Sequence, residues 1–160
     1  MKFENSVMIN RPVATVFEFV TDLKNNPKWQ TDILELELTS EGRLELGSTY
    51  RCVNRFMGKR IKTEGVITEY VPDRTCSFRI VAGSVTGVSN FFFEAVDGAT
   101  RFTTAAELDL GFFKLGKIIV KRKINQQLKN DMLKLKNILE NGKRTYLSSA
   151  VQRSAKNAES

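Results

Sequence analysis

A chain of 160 residues and 18.1 kDa has the size of one ordinary domain and can bury a core without disulfides or a structural metal. Its composition, with 41% hydrophobic and 27% charged residues, is that of a soluble globular protein, and no apolar run approaches the roughly 20 residues of a membrane span. The sequence contains no histidine, which excludes the Ser-His and Cys-His catalytic pairs and the commonest zinc ligand.

The first predicted element is a half-buried strand over residues 2–10, in which apolar and polar residues alternate. Pro12 then opens a short amphipathic helix, because proline suits the first helical turn and the next apolar residues recur with helical spacing: Val13, Val16, Phe17 and Val20. This helix is expected to end near Asp22. Residues 23–32, with an Asn-Asn-Pro run before Trp29, predict a turn or a second very short helix.

From residue 33 to residue 110 the pattern predicts about six antiparallel strands separated by turn residues. The strongest hairpin signal is Asp97-Gly98. Residues 61–70 alternate less cleanly than the others, so the facing of that strand stays open. Gly65 is a candidate for a bulge in it.

After residue 111 the spacing becomes helical and predicts one long helix from about Lys117 to Asn141, roughly 37 Å at 1.5 Å per residue. Its apolar stripe consists of Leu115, Ile118, Ile119, Ile124, Leu128, Met132, Leu135, Ile138 and Leu139. Asn141-Gly142 supplies the expected end, and residues 143–160 form a predicted flexible basic tail. An antiparallel sheet must cover one face, so we predict an α+β fold in which a curved sheet wraps this helix.

The net charge of +7 is concentrated in the predicted helix and tail. Residues 114–143 carry nine basic and two acidic side chains, whereas residues 1–113 carry 13 and 15. Such a segment could attract the phosphates of nucleic acid or of anionic lipid. Because no aromatic residues interleave with the basic ones, a solvated helix face is the favoured interpretation.

Cys52 and Cys76 lack the Cys-x-x-Cys spacing of redox and metal motifs, and both lie in apolar, strand-like contexts. Buried free thiols are therefore expected, which favours a reducing compartment. The first ten residues lack the apolar core of a secretion signal, so a cytoplasmic location is predicted. The residue types predict no metal site and no cofactor.

Several short motifs follow one another along residues 3–141, and their order is more specific than any one of them alone. They are Ile9-Asn10-Arg11-Pro12, Val16-Phe17, Phe19-Val20, Asp22, Pro27-Lys28-Trp29, Gly42, Leu46-Gly47-Ser48, the strand and turn from Gly65 to Pro72, and Gly98-Ala99-Thr100-Arg101-Phe102. In this order they resemble the START-like, or SRPBCC, superfamily, which includes polyketide cyclase and dehydrase-like proteins. The resemblance implies a helix-grip fold: a curved seven-stranded antiparallel sheet, with two short helices between its first two strands, wraps the C-terminal helix around an apolar cavity.

The resemblance also implies a ligand-binding domain over residues 1–142 and a hydrophobic ligand, such as a lipid, sterol, polyketide or quinone-like molecule. The residues expected to line its cavity are Trp29, Leu36, Tyr50, Cys52, Asn54, Phe56, Phe78, Ile80, Phe91, Phe93, Phe102, Thr104, Ala106, Leu108, Ile124 and Leu128. Periodicity alone favours a solid core for the same residues. The resemblance reverses that preference.

Asn54 and Thr104 are polar residues on the buried side of their strands, which costs about 1–3 kcal/mol for each one left without a partner. A protein group could satisfy them, or water or a ligand in a cavity could, and both interpretations stay open. Tyr50 could donate to a ligand carbonyl or bond a neighbouring backbone group. Trp29 would lie at the cavity mouth or anchor the short helices in the core.

Three functions stay open from the sequence. The favoured one is a carrier or sensor for a hydrophobic small molecule oriented by Asn54, Tyr50 and Thr104. A cyclase or dehydratase would need an acid-base pair, whereas the carboxylates fall on outward strand positions, with Glu69 expected at a solvated rim. An interaction module would place the basic helix on a peripheral anionic membrane, with nucleic acid disfavoured as a partner. A monomer and a homodimer both stay open.

Overall fold

The strands and helices follow one another in the predicted order. The computed structural model describes residues 1–111 and 116–158, with side chains described as far as residue 142. Those residues form seven strands, three α-helices and one tight helical turn at Leu23–Asn25. The bounds are β1 Lys2–Ile9, α1 Val13–Thr21, α2 Asn26–Trp29, β2 Ile33–Leu38, β3 Thr49–Phe56, β4 Lys59–Val71, β5 Thr75–Gly83, β6 Thr86–Val96, β7 Ala99–Asp109 and α3 Lys117–Ala158. The predicted α+β class is confirmed.

The strands form one antiparallel sheet in the order β1-β7-β6-β5-β4-β3-β2. Strands β2 to β7 make a continuous meander, and β1 pairs with the outer side of β7, where Ile9 lies opposite Thr100. The β6–β7 turn holds Asp97 and Gly98 at φ angles of 50° and 80°, the left-handed geometry that this hairpin signal requires. Seven curled strands with α3 on their concave side are the helix-grip arrangement that the resemblance implied.

In β4, whose facing the sequence left open, the odd-numbered residues face inward as far as Ile67. Ile61 and Ile67 face the core and are 7% and 3% exposed. The pairing skips Val81 of β5 beside Gly65, and a second shift follows Ile67. After that shift Glu69 points outward and is exposed, as expected for a residue on the rim.

α3 is longer than the sequence predicted. It continues past Asn141 and Gly142, the expected end, as far as Ala158. Gly142 does not adopt the positive φ of a glycine helix cap, and no proline follows it to stop the helix. The flexibility of residues 143–160 stays a prediction. Neither α3 nor any other helix in the described part of the chain is both long and apolar enough to cross a bilayer.

The buried stripe of α3 begins at Val120, not at the two preceding isoleucines. Val120 is 3% exposed, whereas Ile118 and Ile119 are 72% and 61% exposed. Successive residues of an α-helix are rotated by about 100°, so Ile118 and Ile119 lie about 200° and 100° away from Val120 around the helix axis. Ile124, four residues after Val120, lies on the same side of the helix as Val120. The prediction that both isoleucines pack on the sheet is wrong. Leu115, the first member of the predicted stripe, lies outside the described residues.

Buried apolar side chains form a larger and a smaller core. The larger core lies where α1 and α2 cover the sheet, and it receives Leu135 and Leu139 from α3. The smaller core lies near the start of α3, around Ile61 and Val120. Between these two packed regions the concave face of the sheet is not filled by α3.

Candidate functional site

A cavity of about 240 Å³ lies between the concave face of the sheet and α3. Its walls come from the sheet, from the segment that joins α2 to β2, and from one side of α3. Twelve of the sixteen residues predicted to line such a cavity do so: Leu36, Tyr50, Cys52, Asn54, Phe56, Phe78, Ile80, Phe91, Ala106, Leu108, Ile124 and Leu128. That these residues bind a ligand stays a prediction.

The space exists because α3 is held against one side of the sheet. Its main contacts are with β1 and α2. Along β1, Asn5 Nδ2 donates to Asn125 Oδ1 at 3.1 Å, and Lys136 Nζ donates to the Met8 carbonyl oxygen at 2.6 Å. Strands β2 to β4, at the opposite side of the sheet, are not among the main contacts of α3, and their inward side chains border the cavity.

Trp29, Phe93, Phe102 and Thr104 do not line this cavity, which corrects their predicted placement. They lie where α1 and α2 fill the space that the sheet encloses. Phe102 is 0% exposed, and its ring centroid is 6.1 Å from that of Trp29 and 5.1 Å from that of Phe93. Trp29 and Thr104 border a small adjoining void of about 50 Å³, which shares Phe91, Ala106 and Leu128 with the cavity wall. Trp29 is therefore a core anchor for the short helices.

One hydrogen-bonded group in the cavity wall consists of Asp32, Asn54 and the Cys52 thiol. Other polar residues of the wall are Thr21, Asn26, Gln30, Thr63 and Ser89. Asn54 Nδ2 donates to Asp32 Oδ2 at 3.1 Å, and Cys52 Sγ donates to Asn54 Oδ1 at 3.0 Å. Asn54 thus has protein partners and also lines the cavity, so both alternatives hold for this residue. The Arg55 amide donates to the Asp32 carbonyl oxygen at 2.7 Å, which fixes Asp32 immediately before β2.

Two carboxyls at or near the cavity, the half-buried Asp32 and the buried Asp131, are absent from the sequence-based prediction. Asp32 lines the cavity, and Asp131 of α3 is 3% exposed. The Thr31 amide and hydroxyl both donate to Asp131 Oδ1, at 3.1 and 2.6 Å, which ties the segment before β2 to α3. Asp131 lies three residues after Leu128 and four before Leu135, so its place on the buried stripe was a usable signal. Asp32 lies in a turn, where no periodicity marks it.

Burial shifts the ionisable groups of the wall towards their protonated forms. It raises the pKa of the Cys52 thiol to about 12, and it also raises the pKa of the Tyr50 phenol. Burial raises the pKa of the Asp32 carboxyl as well, although hydrogen bonds from Asn54 and Gln127 act in the opposite direction. At neutral pH Cys52 and Tyr50 are therefore present as a thiol and a phenol, and not as a thiolate or a phenolate.

The Tyr50 ring lies against Gly65, its partner in the neighbouring strand. A Cβ atom on Gly65 would collide with the Tyr50 hydroxyl and lie 2.6 Å from the Arg79 carbonyl oxygen, so glycine alone fits there. Tyr50 is 7% exposed and lines the cavity, and its hydroxyl has no hydrogen-bond partner among the residues that the structure describes. The Tyr50 hydroxyl can thus donate a hydrogen bond to a molecule in the cavity.

The two cysteines are buried free thiols, as predicted. Burial raises the pKa of the Cys76 thiol to about 12, so it is protonated at neutral pH. No group of three His, Cys, Asp or Glu side chains that could hold a metal ion occurs in the described part of the chain. Both thiols therefore serve as small, nearly apolar parts of the cavity wall.

The raised pKa values of Asp32 and Asp131 predict how stability depends on pH. An Asp side chain in an unfolded chain has a pKa of about 3.9, and burial raises the pKa of both Asp32 and Asp131 in the folded protein. The folded state therefore holds these protons to higher pH than the unfolded state does. The free energy of unfolding should fall as the pH rises from about 4 through the raised pKa values.

Urea denaturation across this pH range measures the effect. In Asp32→Asn the free energy of unfolding should fall less steeply with pH, because one of the two carboxyls with a raised pKa is removed. Asp97→Asn is a matched control, since Asp97 is exposed in the β6–β7 turn and asparagine also suits that turn. If the free energy of unfolding of the wild type rose with pH relative to that of Asp32→Asn, the assignment of a raised pKa would be wrong.

A curved sheet that grips a long helix over an apolar cavity defines the START-like, or SRPBCC, superfamily. A family model described as polyketide cyclase / dehydrase and lipid transport matches residues 1–140. The chain belongs to this family, which agrees with the order of motifs in its sequence. No curated protein sequence matches the chain.

Solved structures show the same fold. A START superfamily protein from Mycobacterium smegmatis superposes with a TM-score of 0.75 at 14% identity, covering 88% of this chain and 97% of that chain. The protein TTHA0849 from Thermus thermophilus superposes with a TM-score of 0.76 at 16% identity, covering 89% of this chain and 99% of that chain. The di-domain ARO/CYC protein BexL from the BE-7585A biosynthetic pathway superposes with a TM-score of 0.67 at 15% identity, covering 88% of this chain and 46% of that chain. At these identities the likeness shows the fold alone.

Proposed function

We propose that the chain binds a hydrophobic small molecule of the lipid, polyketide or quinone-like class in the cavity under α3, as its carrier or sensor. The observation that carries this proposal is the cavity wall, which is mostly apolar and includes a few polar side chains, among them the hydrogen-bonded pair Asp32 and Asn54. Burial of apolar ligand surface, at roughly 25 cal/mol per Å², would drive binding.

The volume favours a compact ligand. About 240 Å³ is slightly less than the roughly 300–1,000 Å³ of typical small-molecule pockets. A fused ring system or a single acyl chain suits this space better than a two-chain lipid does. Calorimetric titration with ethylnaphthalene, a compact apolar probe, tests the proposal: we expect one saturable site per chain, and a titration without saturable heat would contradict it.

A carrier or sensor is favoured over a cyclase or dehydratase by the state of the wall groups. Acid-base catalysis needs one group that gives a proton and another that takes it, with pKa values set apart by their surroundings. Burial raises the pKa of Tyr50, Cys52 and Asp32 alike. Tyr50 and Cys52 therefore stay protonated near neutral pH, and Asp32 is the only carboxyl among the described lining residues, so the wall lacks a second group that would complete an acid-base pair.

The domain boundary and the cellular location are also proposals. The family match ends at residue 140, which supports a ligand-binding domain over residues 1–142 with residues 143–160 as a basic tail. The two buried cysteines are unpaired, which supports a reducing, cytoplasmic compartment.

The exposed start of α3 favours a second function, docking on an anionic membrane surface. Ile118 and Ile119 are adjacent apolar side chains that are mostly exposed. Beside them are four basic residues that form no ion pair with any residue the structure describes: Lys117, Lys121, Arg122 and Lys123. Apolar side chains set among unpaired cations are typical of helices that lie in a bilayer interface. We propose that this patch, Lys117 to Lys123, contacts anionic lipid.

Vesicle flotation tests the membrane proposal. The double substitution Ile118→Ser and Ile119→Ser should lower partitioning into phosphatidylserine-containing vesicles at least about tenfold, because burying one isoleucine contributes roughly 1.5–3 kcal/mol. Leu133→Ser is the matched control, since Leu133 is 60% exposed on the same helix and lies about 22 Å away. Added salt should weaken binding as well. Equal binding to uncharged vesicles, or salt-sensitive binding to nucleic acid that the double substitution leaves unchanged, would contradict the proposal.

A further inference from the structure

The charge of the cavity wall limits which ligands can lie inside it. Among the described lining residues, Asp32 provides the only carboxyl, and none is a lysine or an arginine. Its hydrogen-bond partner Asn54 is a neutral amide. A ligand carboxylate in this space would meet an acidic group in a largely apolar setting with no cation to balance it, which is unfavourable for either group.

The Tyr50 hydroxyl provides a second, independent observation. The side chain is only 7% exposed and lines the cavity, yet the hydroxyl has no hydrogen-bond partner in the part of the chain that the structure describes. In the part of the chain that the structure describes, the fully buried polar side-chain atoms without a partner are Trp29 Nε1 and Thr75 Oγ1, so the Tyr50 hydroxyl is not sealed in the core but open to the cavity. The neighbouring thiol of Cys52 already donates to Asn54. An acceptor oxygen on the ligand would therefore satisfy the Tyr50 hydroxyl.

We infer that the cavity selects an uncharged molecule with a carbonyl-type oxygen that accepts from the Tyr50 hydroxyl, and that Asp32 excludes carboxylates such as ionised fatty acids. This inference rests on the proposed function, because it assigns the ligand of the same cavity. Ketones, esters and quinones carry the required oxygen and no charge. The ligand class is thus narrowed from hydrophobic molecules in general to neutral carbonyl compounds.

Three probes of nearly the same shape separate the effect of the Tyr50 hydrogen bond from the effect of the Asp32 carboxyl. Acetylnaphthalene carries the acceptor oxygen, ethylnaphthalene lacks it, and naphthoate replaces it with a carboxylate that is ionised at a pH of about 7.5. In calorimetric titrations of the full chain, acetylnaphthalene should bind at least about tenfold more tightly than naphthoate. It should bind about fivefold more tightly than ethylnaphthalene, because one hydrogen bond is added.

Two variants assign these preferences to their residues. Tyr50→Phe should lower the affinity for acetylnaphthalene about fivefold and leave the affinity for ethylnaphthalene unchanged. Tyr70→Phe is the control, because Tyr70 does not line the cavity. Asp32→Asn should strengthen naphthoate binding at least about threefold, and Asp97→Asn should not. Circular dichroism of each variant confirms that it folds.

The outcomes distinguish this inference from the proposed function. If the wild type bound all three probes equally, the cavity would be confirmed as a binding site, and the inference would be overturned. Loss of acetylnaphthalene and ethylnaphthalene binding to the same extent in Tyr50→Phe would also overturn it, because the hydroxyl would then have no specific role. If none of the probes bound, the proposed function would fail and the inference with it.

Discussion

Replacing Ala106 with tryptophan is expected to abolish the uptake of ethylnaphthalene. Ala106 lies on β7 opposite Phe3 and Ser89, and it lines the cavity from the side of the sheet. A tryptophan at this position would project into a space of about 240 Å³ and occupy the volume that a bicyclic probe needs. The variant should still fold, because its added rings enter a void and not a close-packed core.

Ala105→Trp is the matched control for this experiment. Ala105 is the neighbouring residue of the same strand, and the two-residue repeat of a strand turns its side chain to the outer face. Titration calorimetry of Ala105→Trp should give the wild-type affinity, and circular dichroism should show that both variants are folded. Wild-type affinity in Ala106→Trp would mean that the probe binds somewhere other than the cavity.

The substitution Phe102→Ala should lower the free energy of unfolding by about 3–5 kcal/mol and leave ethylnaphthalene binding nearly unchanged. Phe102 is 0% exposed, and its ring centroid lies 5.4 Å from that of Phe91 and 6.1 Å from that of Trp29. Its packed neighbours cannot close the hole left by the ring. Because single domains are stable by only about 5–15 kcal/mol, urea denaturation should show a large part of the stability lost.

Phe78→Ala provides the comparison for this prediction. Phe78 also contacts Phe91, with ring centroids 5.0 Å apart, but it is only half-buried and one side of its ring borders the cavity. Its removal should cost less stability than the removal of Phe102, and it should weaken probe binding. The opposite ranking in urea denaturation would mean that the aromatic cluster around Phe102 is not the close-packed part of the molecule.

The fold could be predicted where one burial pattern runs unbroken along an element. β1 keeps Phe3, Asn5 and Ile9 on its buried side, as its alternation indicates. β4 could not be assigned, because its odd-numbered residues face inward only as far as Ile67, where a shift in the pairing with β5 turns Glu69 outward. At the start of α3, apolar residue type alone misplaced Ile118 and Ile119. Only the phase set by the buried residues further along the helix shows that they face solvent.

The candidate site was predictable to the extent that strand parity decides it. Parity selects the concave face, and most of the residues so selected line the cavity. It cannot show which part of that face is covered, so Phe93 and Phe102 were assigned to the cavity although the short helices pack over them. Asp32 has no periodic signal at all. Its role depends on contacts with Asn54 of β3 and on the position of α3, which only the folded chain brings together.

The most direct test of the cavity as a ligand-binding site is a crystal structure of the protein with acetylnaphthalene. We expect electron density for the bicyclic ring between the concave face of the sheet and α3, with the ketone oxygen within hydrogen-bonding distance of the Tyr50 hydroxyl. A space closed by side chains, or a probe found only on the outer surface, would contradict this result.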